Sequence, residues 1–159
     1  MVFTNTQGDC GITNSMVTNN MPKDDCLIEV NGVLDGVMSQ LDKVIYELHT
    51  DNQLLDLILI QDSLRHVGGE IAGIKNTHIT YKNVATIEAA IVVLNISVNT
   101  FITFKNILSM EINELRVRVR KLERVLTPYL RSGIISKSTY AYINRLSKYF
   151  FTLAVYFNN

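Results

Sequence analysis

The stretch that decides the fold runs from Leu108 to Leu126 and reads LSMEINELRVRVRKLERVL. Its large apolar residues recur at every third or fourth position: Ile112, Leu115, Val119, Leu122 and Leu126. Because an α-helix turns once in about 3.6 residues, this spacing puts them on one face of a helix. Pro128 follows and is expected to mark the end of the helix, since proline cannot donate a backbone hydrogen bond. The stretch therefore predicts a helix with one buried side.

Four further segments show the same spacing of apolar residues. The first carries Val30 to Leu48, and the second covers Asn52–Ala72. The third follows Thr80 and carries Val84 to Leu94, and the last starts at Ser136 or Ser138 and carries Tyr140 to Leu153. Thr80 has the side chain of a helix N-cap. Five amphipathic segments with short connections predict an all-α fold, a five-helix bundle. No strand run or internal repeat competes with this prediction.

Two local features of these helices carry their own predictions. Gly68 and Gly69 lie inside the second segment, where glycine is unfavourable, so we expect a close helix contact or an early helix end there. Val84 to Phe104 is mostly apolar over a length of about 20 residues, near that of a membrane span. Glu88, Asn95 and Asn99 interrupt it and a helical stripe persists, so a buried helix is the favoured interpretation.

The chain has 159 residues, which suits one domain, 1–159. We divide it into an N-terminal arm, 1–26, which shows no sustained period, and a helical bundle, 27–159. The 15 basic residues equal the 15 acidic ones, so the overall charge does not predict a nucleic-acid or membrane-surface partner.

Cysteine and histidine content bears on redox chemistry and metals. Cys10 and Cys26 could pair, but two cysteines in a chain without a secretion signal are expected to be free thiols. The three histidines have no cysteine near them, so no zinc ligand set is predicted. The polar start of the chain lacks the apolar stretch of a secretion signal, and a cytoplasmic location is expected.

The helix over Leu108–Leu126 also carries candidate site residues. Arg116, Arg120 and Glu123 fall within about 60° of one another beside the apolar stripe, whereas Arg118 and Lys121 point to the opposite face. Arginine suits phosphate because its planar guanidinium donates two parallel hydrogen bonds and stays charged. The alternative is an amphipathic helix with an ordinary Arg/Glu pair.

A second candidate lies in the arm, at Thr4–Thr13. Its glycines would let backbone N–H groups approach a phosphate, its hydroxyls add donors, and Asp9 could hold Mg²⁺. No Gly-Lys-Ser/Thr follows, so it is not the P-loop pattern. The alternative is a loop that merely turns.

Several motifs, in order along the chain, carry a resemblance to a known family. They are Phe3-Thr-Asn-Thr-Gln-Gly-Asp-Cys-Gly-Ile-Thr13, Lys23-Asp-Asp25, Glu29-Val-Asn-Gly-Val-Leu-Asp35, Ile60-Gln61 through Glu70-Ile-Ala72, Arg116 through Arg124, and Tyr142-Ile-Asn-Arg-Leu-Ser-Lys-Tyr-Phe-Phe151. In these motifs, which run nearly end to end, the chain resembles the PduO-type ATP:corrinoid (cob(I)alamin) adenosyltransferases.

The resemblance implies a fold, an assembly and a reaction. Members of the family are ferritin-like five-helix bundles that form homotrimers with an active site at each subunit interface. They transfer the 5′-deoxyadenosyl group of ATP to cob(I)alamin and release triphosphate. It further implies ATP, Mg²⁺ and cobalamin as cofactor and substrates, and a reductase partner that delivers cobalt(I).

The resemblance also implies residue roles. Thr4, Thr6, Gly8, Asp9, Gly11, Thr13 and Lys23 would surround the triphosphate; Arg120 would contact the phosphates; Glu123 and Asn144 would contact the nucleotide. Asp35 and Arg116 would form a salt bridge between subunits that shapes the corrinoid pocket. Phe101 would exclude the axial ligand below cobalt, which makes cobalt(II) easier to reduce. For Phe101 the alternative is a buried core residue.

The chain departs from the family pattern at several positions. Gln7 lengthens the loop. Where the family pattern has Arg, Glu, Arg and Asp, this chain has Asn20, Gly36, Lys121 and Lys148 in that order. Phe104-Lys105-Asn106 replaces the Pro-Gly-Gly stretch of the family. Two alternatives therefore stay open. One is a catalytically degenerate bundle of the same fold that binds nucleotide or corrinoid; the other is a helical interaction module without a small-molecule site.

Overall fold

The computed structural model describes residues 6–49 and 54–158. Within them lie the five helices that the sequence predicts: α1 (Cys26–Glu47), α2 (Leu54–Ile71), α3 (Tyr81–Leu94), α4 (Ile107–Arg131) and α5 (Lys137–Tyr156). The prediction of an all-α bundle is confirmed. The first two residues of the predicted second helix, 52 and 53, lie outside the described part of the chain, as does Thr4 of the candidate loop.

The arm has more local structure than the sequence indicates. A 3-10 turn over Thr6–Cys10 leads into a two-stranded antiparallel sheet, in which β1 (Ile12–Thr13) pairs with β2 (Met21–Pro22). The strands were not predicted, because two-residue strands are too short to show an alternation of apolar and polar residues. Both cysteines are exposed free thiols, as expected.

The order of the helices around the core follows from their contacts. α4 packs between α1 and α5, α1 also packs against α2, and α3 packs against α5. The predicted apolar stripes face inward, and the residues of the α4 stripe are fully buried: Ile112, Leu115, Val119, Leu122 and Leu126. One continuous core therefore runs through the bundle.

Side chains at the N-termini define where the helices begin. The carboxylate of Asp25 accepts from the backbone N–H of Leu27 at 2.8 Å, at the start of α1. Asn106 caps α4 in the same way, and Ser136 caps α5. At α3 the backbone N–H of Thr80 donates to the Asn83 side chain at 3.0 Å. The N-cap predicted at Thr80 is thus confirmed, as is the predicted start of the fifth helix at Ser136 or Ser138.

The predicted end of the fourth helix at Pro128 is wrong. Pro128 lies inside α4, which continues to Arg131 and ends where Gly133 takes a positive φ of 75°. A proline removes one backbone donor, and here that loss is offset because Tyr129 and Leu130 pack against the core. Ile134 N–H then bonds the Tyr129 carbonyl at 2.9 Å, closing the helix end as glycine C-caps do.

The predicted buried helix over Val84 to Phe104 is also wrong in part. α3 ends at Leu94, because Asn95 takes a left-handed conformation with φ 48°, and residues 95–106 are not helical. Val93 is 82% exposed, so the apolar run does not lie wholly in the core. In the described part of the chain, no helix is long and apolar enough to cross a membrane.

Of the two alternatives that the sequence predicts at Gly68-Gly69, a close helix contact or an early helix end, the close contact is confirmed. A Cβ on Gly68 would lie 3.1 Å from Leu34 Cδ2, and a Cβ on Gly69 would lie 2.7 Å from the Thr77 side chain. α2 ends two residues later, at Ile71. The glycines therefore let α1 and the α2–α3 connection approach α2.

We predict opposite stability effects of alanine at two helical glycines. Gly69→Ala should lower the free energy of unfolding by about 1–2 kcal/mol, because the stiff Thr77 side chain must shift. Gly32→Ala, whose Cβ would meet nothing within 4 Å, should raise it by up to about 1 kcal/mol through helix propensity. Urea denaturation followed by circular dichroism measures both. Equal effects of the two substitutions would contradict the contact with Thr77.

Tyr142 is a buried titratable group at the centre of the bundle. Its side chain is 3% exposed, and burial raises its pKa from 10.0 to about 12, while a hydrogen bond with Ser63 acts in the opposite direction. In the unfolded chain the pKa would be near the ordinary value. Between these two pKa values, Tyr142 therefore keeps its proton in the folded state and loses it in the unfolded chain.

This shift predicts a loss of stability at high pH. Because the folded pKa of Tyr142 lies above the unfolded one, its contribution is complete below pH 10 and is lost as the pH rises towards about 12. The loss should amount to roughly 2–3 kcal/mol of unfolding free energy. Tyr142→Phe should remove that part of the slope in denaturation curves taken across the range. Tyr81→Phe, at an exposed tyrosine, is the control and should keep the wild-type slope.

Candidate active site

The charged face of α4 lies beside α5, where three pairs of side chains meet. The Glu123 carboxylate accepts from the Asn144 amide at 2.7 Å, and the Thr127 and Tyr140 hydroxyls lie 3.0 Å apart. The Arg116 guanidinium lies 5.8 Å from the centroid of the Phe151 ring. We call this row the α4–α5 strip; its members are Asn113, Arg116, Arg120, Glu123 and Thr127 of α4 and Tyr140, Asn144 and Phe151 of α5.

Arg116 is the most constrained cation of the strip. Its Nε donates to the Asn113 amide oxygen at 2.8 Å, and its guanidinium lies over the face of Phe151. Burial lowers the pKa of Arg116, and the neighbouring charge of Arg120 lowers it further. An arginine stays protonated even so, hence the strip holds two like charges close enough to interact. Such a pair favours an anion as its ligand.

The other side of α4 carries cations that are already neutralised. Arg118 forms an ion pair with Glu114 at 2.9 Å, and Lys121 pairs with Glu29 of α1 at 3.2 Å. The Arg118 side chain also covers Gly36 of α1, where a Cβ would lie 3.2 Å from its Nη1. Arg118 and Lys121 therefore point towards α1 and away from the strip.

Asp35 does not meet Arg116 within one chain. Asp35 lies on α1, next to the Gly36 that Arg118 covers, whereas Arg116 contacts Phe151 on α5. Arg116 and Arg118 point about 160° apart on α4. Within the described ranges, no hydrogen bond or ion pair links the Asp35 carboxylate to Arg116. The Asp35–Arg116 salt bridge therefore remains a prediction about two chains.

The arm brings several of its predicted residues together. Lys23 Nζ donates to the Gly8 carbonyl at 2.8 Å, and the Lys23 backbone N–H donates to the Gly11 carbonyl at 2.8 Å. Gly11 has φ +74°, a conformation that glycine adopts without strain. Asp9 is exposed beside it, and Thr13 lies in β1. The arm thus places a lysine, a carboxylate and two glycines in one compact turn.

The rest of the arm lies on the α1–α2 side of the bundle. Its turn over residues 14–17 lines a groove of about 530 Å³ together with α1 and α2, and Asp35 and Arg65 face that groove as well. The strip, in contrast, belongs to α4 and α5. The part of the arm that follows the candidate loop therefore lies on a different surface of the chain from the strip.

Phe101 is 99% exposed, in the non-helical connection between α3 and α4. The alternative that it is a core residue is therefore wrong. A phenylalanine so fully exposed leaves its whole ring available to a ligand or to another chain.

Four strip residues were not predicted as site residues: Asn113, Thr127, Tyr140 and Phe151. A signal for Asn113 and Phe151 was present, since Asn113 lies one turn before Arg116, and Phe151 lies two turns after Asn144 on the same face of its helix. As for metal ions, no cluster of three His, Cys, Asp or Glu side chains that could hold one occurs among the residues described.

The fold and the strip together define a class of protein: a five-helix bundle with a row of charged and polar side chains along the contact between its last two helices. A model of the cobalamin adenosyltransferase family matches residues 3–157. The chain belongs to that family. The comparison with curated proteins gave no match.

Solved structures confirm the fold. A phenylalanine-to-histidine variant of a PduO-type ATP:corrinoid adenosyltransferase from Lactobacillus reuteri, complexed with cobalamin and ATP, is similar with a TM-score of 0.84 and 24% identity, over 99% of this chain and 91% of that chain. A phenylalanine-to-alanine variant with the same ligands gives 0.85 and 23%, over 99% and 93%. An arginine-to-lysine variant complexed with ATP gives 0.83 and 24%, over 99% and 94%.

Proposed function

We propose that this protein transfers the 5′-deoxyadenosyl group of ATP to cob(I)alamin, giving adenosylcobalamin and triphosphate. The observation that carries the proposal is the family match over residues 3–157. The contacts of the α4–α5 strip support it, because they join Arg116, Glu123 and Asn144 into one row next to Arg120. Arg120, Glu123 and Asn144 are the residues that the resemblance assigns to the nucleotide, and Arg116 is the one that it assigns to the salt bridge with Asp35.

The reaction requires little covalent chemistry from the side chains of the protein. Cobalt(I) attacks the ribose 5′-carbon, the cobalt–carbon bond forms, and the carbon–oxygen bond to the triphosphate breaks. The bonding electrons of the broken bond leave with the triphosphate. Since cobalt is the nucleophile, no side chain has to act as nucleophile or general base. The protein has to align the two substrates and stabilise the charge on the leaving group.

Arg120 is the side chain best suited to the leaving group. It is exposed on the strip, and within residues 6–49 and 54–158 it has no carboxylate or hydrogen-bond partner. Arg116 beside it is held by Asn113 and Phe151, so less freedom is lost when an anion binds. Glu123 and Asn144, already bonded to each other, would bind the nucleoside end of ATP.

The arm would contact the same triphosphate on the side opposite to the strip. Gly8 and Gly11 let the backbone approach phosphate oxygens, Thr6 and Thr13 supply hydroxyls, and Lys23 supplies a positive charge. The arm fits Mg²⁺ only as an ion carried by ATP, because Asp9 is a single exposed carboxylate. When bound there, Mg²⁺ would neutralise phosphate charge, and Asp9 would hold it through water or directly.

The packing of residues 14–17 of the arm against α1 and α2, rather than against α4 and α5, supports a site built by two chains. In a homotrimer, each arm would reach the strip of its neighbour, and Asp35 would pair with the neighbour's Arg116. Cyclic trimers repeat such a heterologous contact three times and close. The active site would then be complete only at the subunit interfaces, with the corrinoid pocket shaped by that salt bridge.

Phe101 would form the lower wall of the corrinoid pocket. Its ring is fully exposed, and an apolar group below cobalt would keep the axial ligand away. Loss of that ligand makes cobalt(II) easier to reduce, and a reductase partner would supply the electron. Since the reaction consumes ATP and a reductant, we place the protein in the cytoplasm.

The direct test is an anaerobic assay with Mg-ATP and chemically reduced cobalamin, read by the absorbance change on formation of adenosylcobalamin. Product formation is the expected result. Binding of Mg-ATP in calorimetry without any product would instead support a degenerate, non-catalytic member of the family. No heat of binding at all would support an interaction module.

Arg120→Ala should lower kcat by about a hundredfold or more, because a preorganised charge at the leaving group is lost. The same assay measures it, with circular dichroism and sedimentation as checks that fold and assembly persist. The matched control is Arg118→Ala, which removes an arginine from the other face of the same helix. Equal losses in both variants would argue against a specific role of Arg120.

Co-expression tests whether Asp35 and Arg116 come from different chains. Asp35→Ala and Arg116→Ala should each be nearly inactive alone. In mixed trimers about a quarter of the interfaces would combine an intact Asp35 with an intact Arg116, so activity should return to about that fraction. If both residues acted within one chain, co-expression would restore nothing.

A further inference from the structure

Lys148 of α5 is a cation that has no role in the proposed reaction as described above. It stands where the family pattern has an aspartate, and its side chain is exposed. In the part of the chain that the structure describes, the Lys148 ammonium has no carboxylate or other side-chain partner. A change from a negative to a positive residue beside a phosphate site alters the charge that a ligand meets.

The pairing of α4 with α5 fixes the height of Lys148 along the strip. Thr127 meets Tyr140, Glu123 meets Asn144, and Arg116 meets Phe151, so the two helices run antiparallel. Residues nearer the C-terminus of α5 therefore lie beside residues nearer the N-terminus of α4. Lys148 lies between Asn144 and Phe151, as Arg120 lies between Glu123 and Arg116. The two cations are at the same level.

The helical period fixes the face on which Lys148 lies. It follows Asn144 by four residues and precedes Phe151 by three, which places it within about 40–60° of both around the α5 axis. Asn144 and Phe151 face α4 across the strip. The preceding residue, Ser147, is buried, whereas Lys148 is exposed. Lys148 therefore lies beside Asn144 at the exposed edge of the strip, at the level of Arg120 along α4.

The charges of the strip are not balanced within the chain. Glu123 is its single carboxylate, and that carboxylate is bonded to Asn144. Arg116 has an amide and an aromatic ring as partners, and its pKa is already lowered by burial and by Arg120. The cations on the opposite face of α4 have carboxylates, Glu114 and Glu29. A ligand with several negative charges would relieve the repulsion along the strip.

We propose that Lys148 is a further phosphate-binding residue that, with Arg120, holds the triphosphate chain at the α4–α5 strip. The inference rests on the proposed function for the identity of the ligand. The triphosphate of ATP and free inorganic triphosphate, which is the leaving group, present the same negatively charged phosphate oxygens to Lys148. Lys148 strengthens the binding of both, and the aspartate of the family pattern at this position would weaken it.

The experiment is a calorimetric titration of the full chain with Mg-ATP and, separately, with inorganic triphosphate and with adenosine. The variants are Lys148→Ala, Lys148→Arg and Lys148→Asp. Lys75→Ala is the control for overall charge, because Lys75 is exposed in the connection between α2 and α3. Each titration is run at low and at high salt, since a lost phosphate contact flattens the salt dependence of binding.

Lys148→Ala should weaken the binding of Mg-ATP and of inorganic triphosphate by about fivefold to tenfold, and Lys148→Asp should weaken it more. Lys148→Arg should restore binding to within about twofold of the wild type, because it keeps the charge. Adenosine affinity should not change. In the assay, Lys148→Ala should raise the KM for ATP by a similar factor while circular dichroism stays the same.

Two results separate this inference from the proposed function. If the wild type binds Mg-ATP and Lys148→Ala binds triphosphate as tightly as Lys75→Ala does, Lys148 is a solvated surface residue and the inference is wrong. If the wild type binds neither Mg-ATP nor triphosphate, the proposed function itself is wrong, and the role of Lys148 is overturned with it.

Discussion

The packing of α4 against α5 is the interaction on which the site depends. Fully buried apolar residues of both helices, such as Leu115 and Leu146, hold the helices together. Because they pack in a single antiparallel register, the polar residues at the edge of the same contact must meet in fixed pairs. Glu123 reaches Asn144 and Arg116 reaches Phe151 for that reason. Apolar burial supplies the stability, and the register supplies the geometry.

The distribution of charge around α4 separates a structural face from a binding face. Towards α1, arginine and lysine side chains have carboxylate partners, so that face adds little net charge. Towards α5, the cations have no such partners among the described residues, and burial makes the Arg116 charge less well solvated. A chain of zero formal charge can therefore still present a strong local potential. The leaving triphosphate of the proposed reaction needs such a potential, and a second chain would bring the arm to it.

Much of the fold could be predicted from the sequence, because apolar periodicity reports directly which side of a helix is buried. All five helices and the inward stripe of α4 followed from it. The helix ends were less predictable. The prediction that Pro128 ends α4 is wrong because the packing of the next residues offsets the lost hydrogen bond. The prediction that the helix continues after Leu94 is wrong because Asn95 adopts a left-handed backbone conformation, which hydropathy does not encode.

By itself, the sequence determined the helices, the buried stripes and the placing of Arg116, Arg120 and Glu123 on one side of a helix. Helical geometry is local, so the spacing of residues is enough to fix these features. Only the tertiary structure decided that Glu123 meets Asn144, that Phe151 holds Arg116, and that residues 14–17 of the arm lie against α1 and α2. Those contacts join residues far apart in the sequence, and they depend on the register and order in which whole helices pack, which no local pattern specifies.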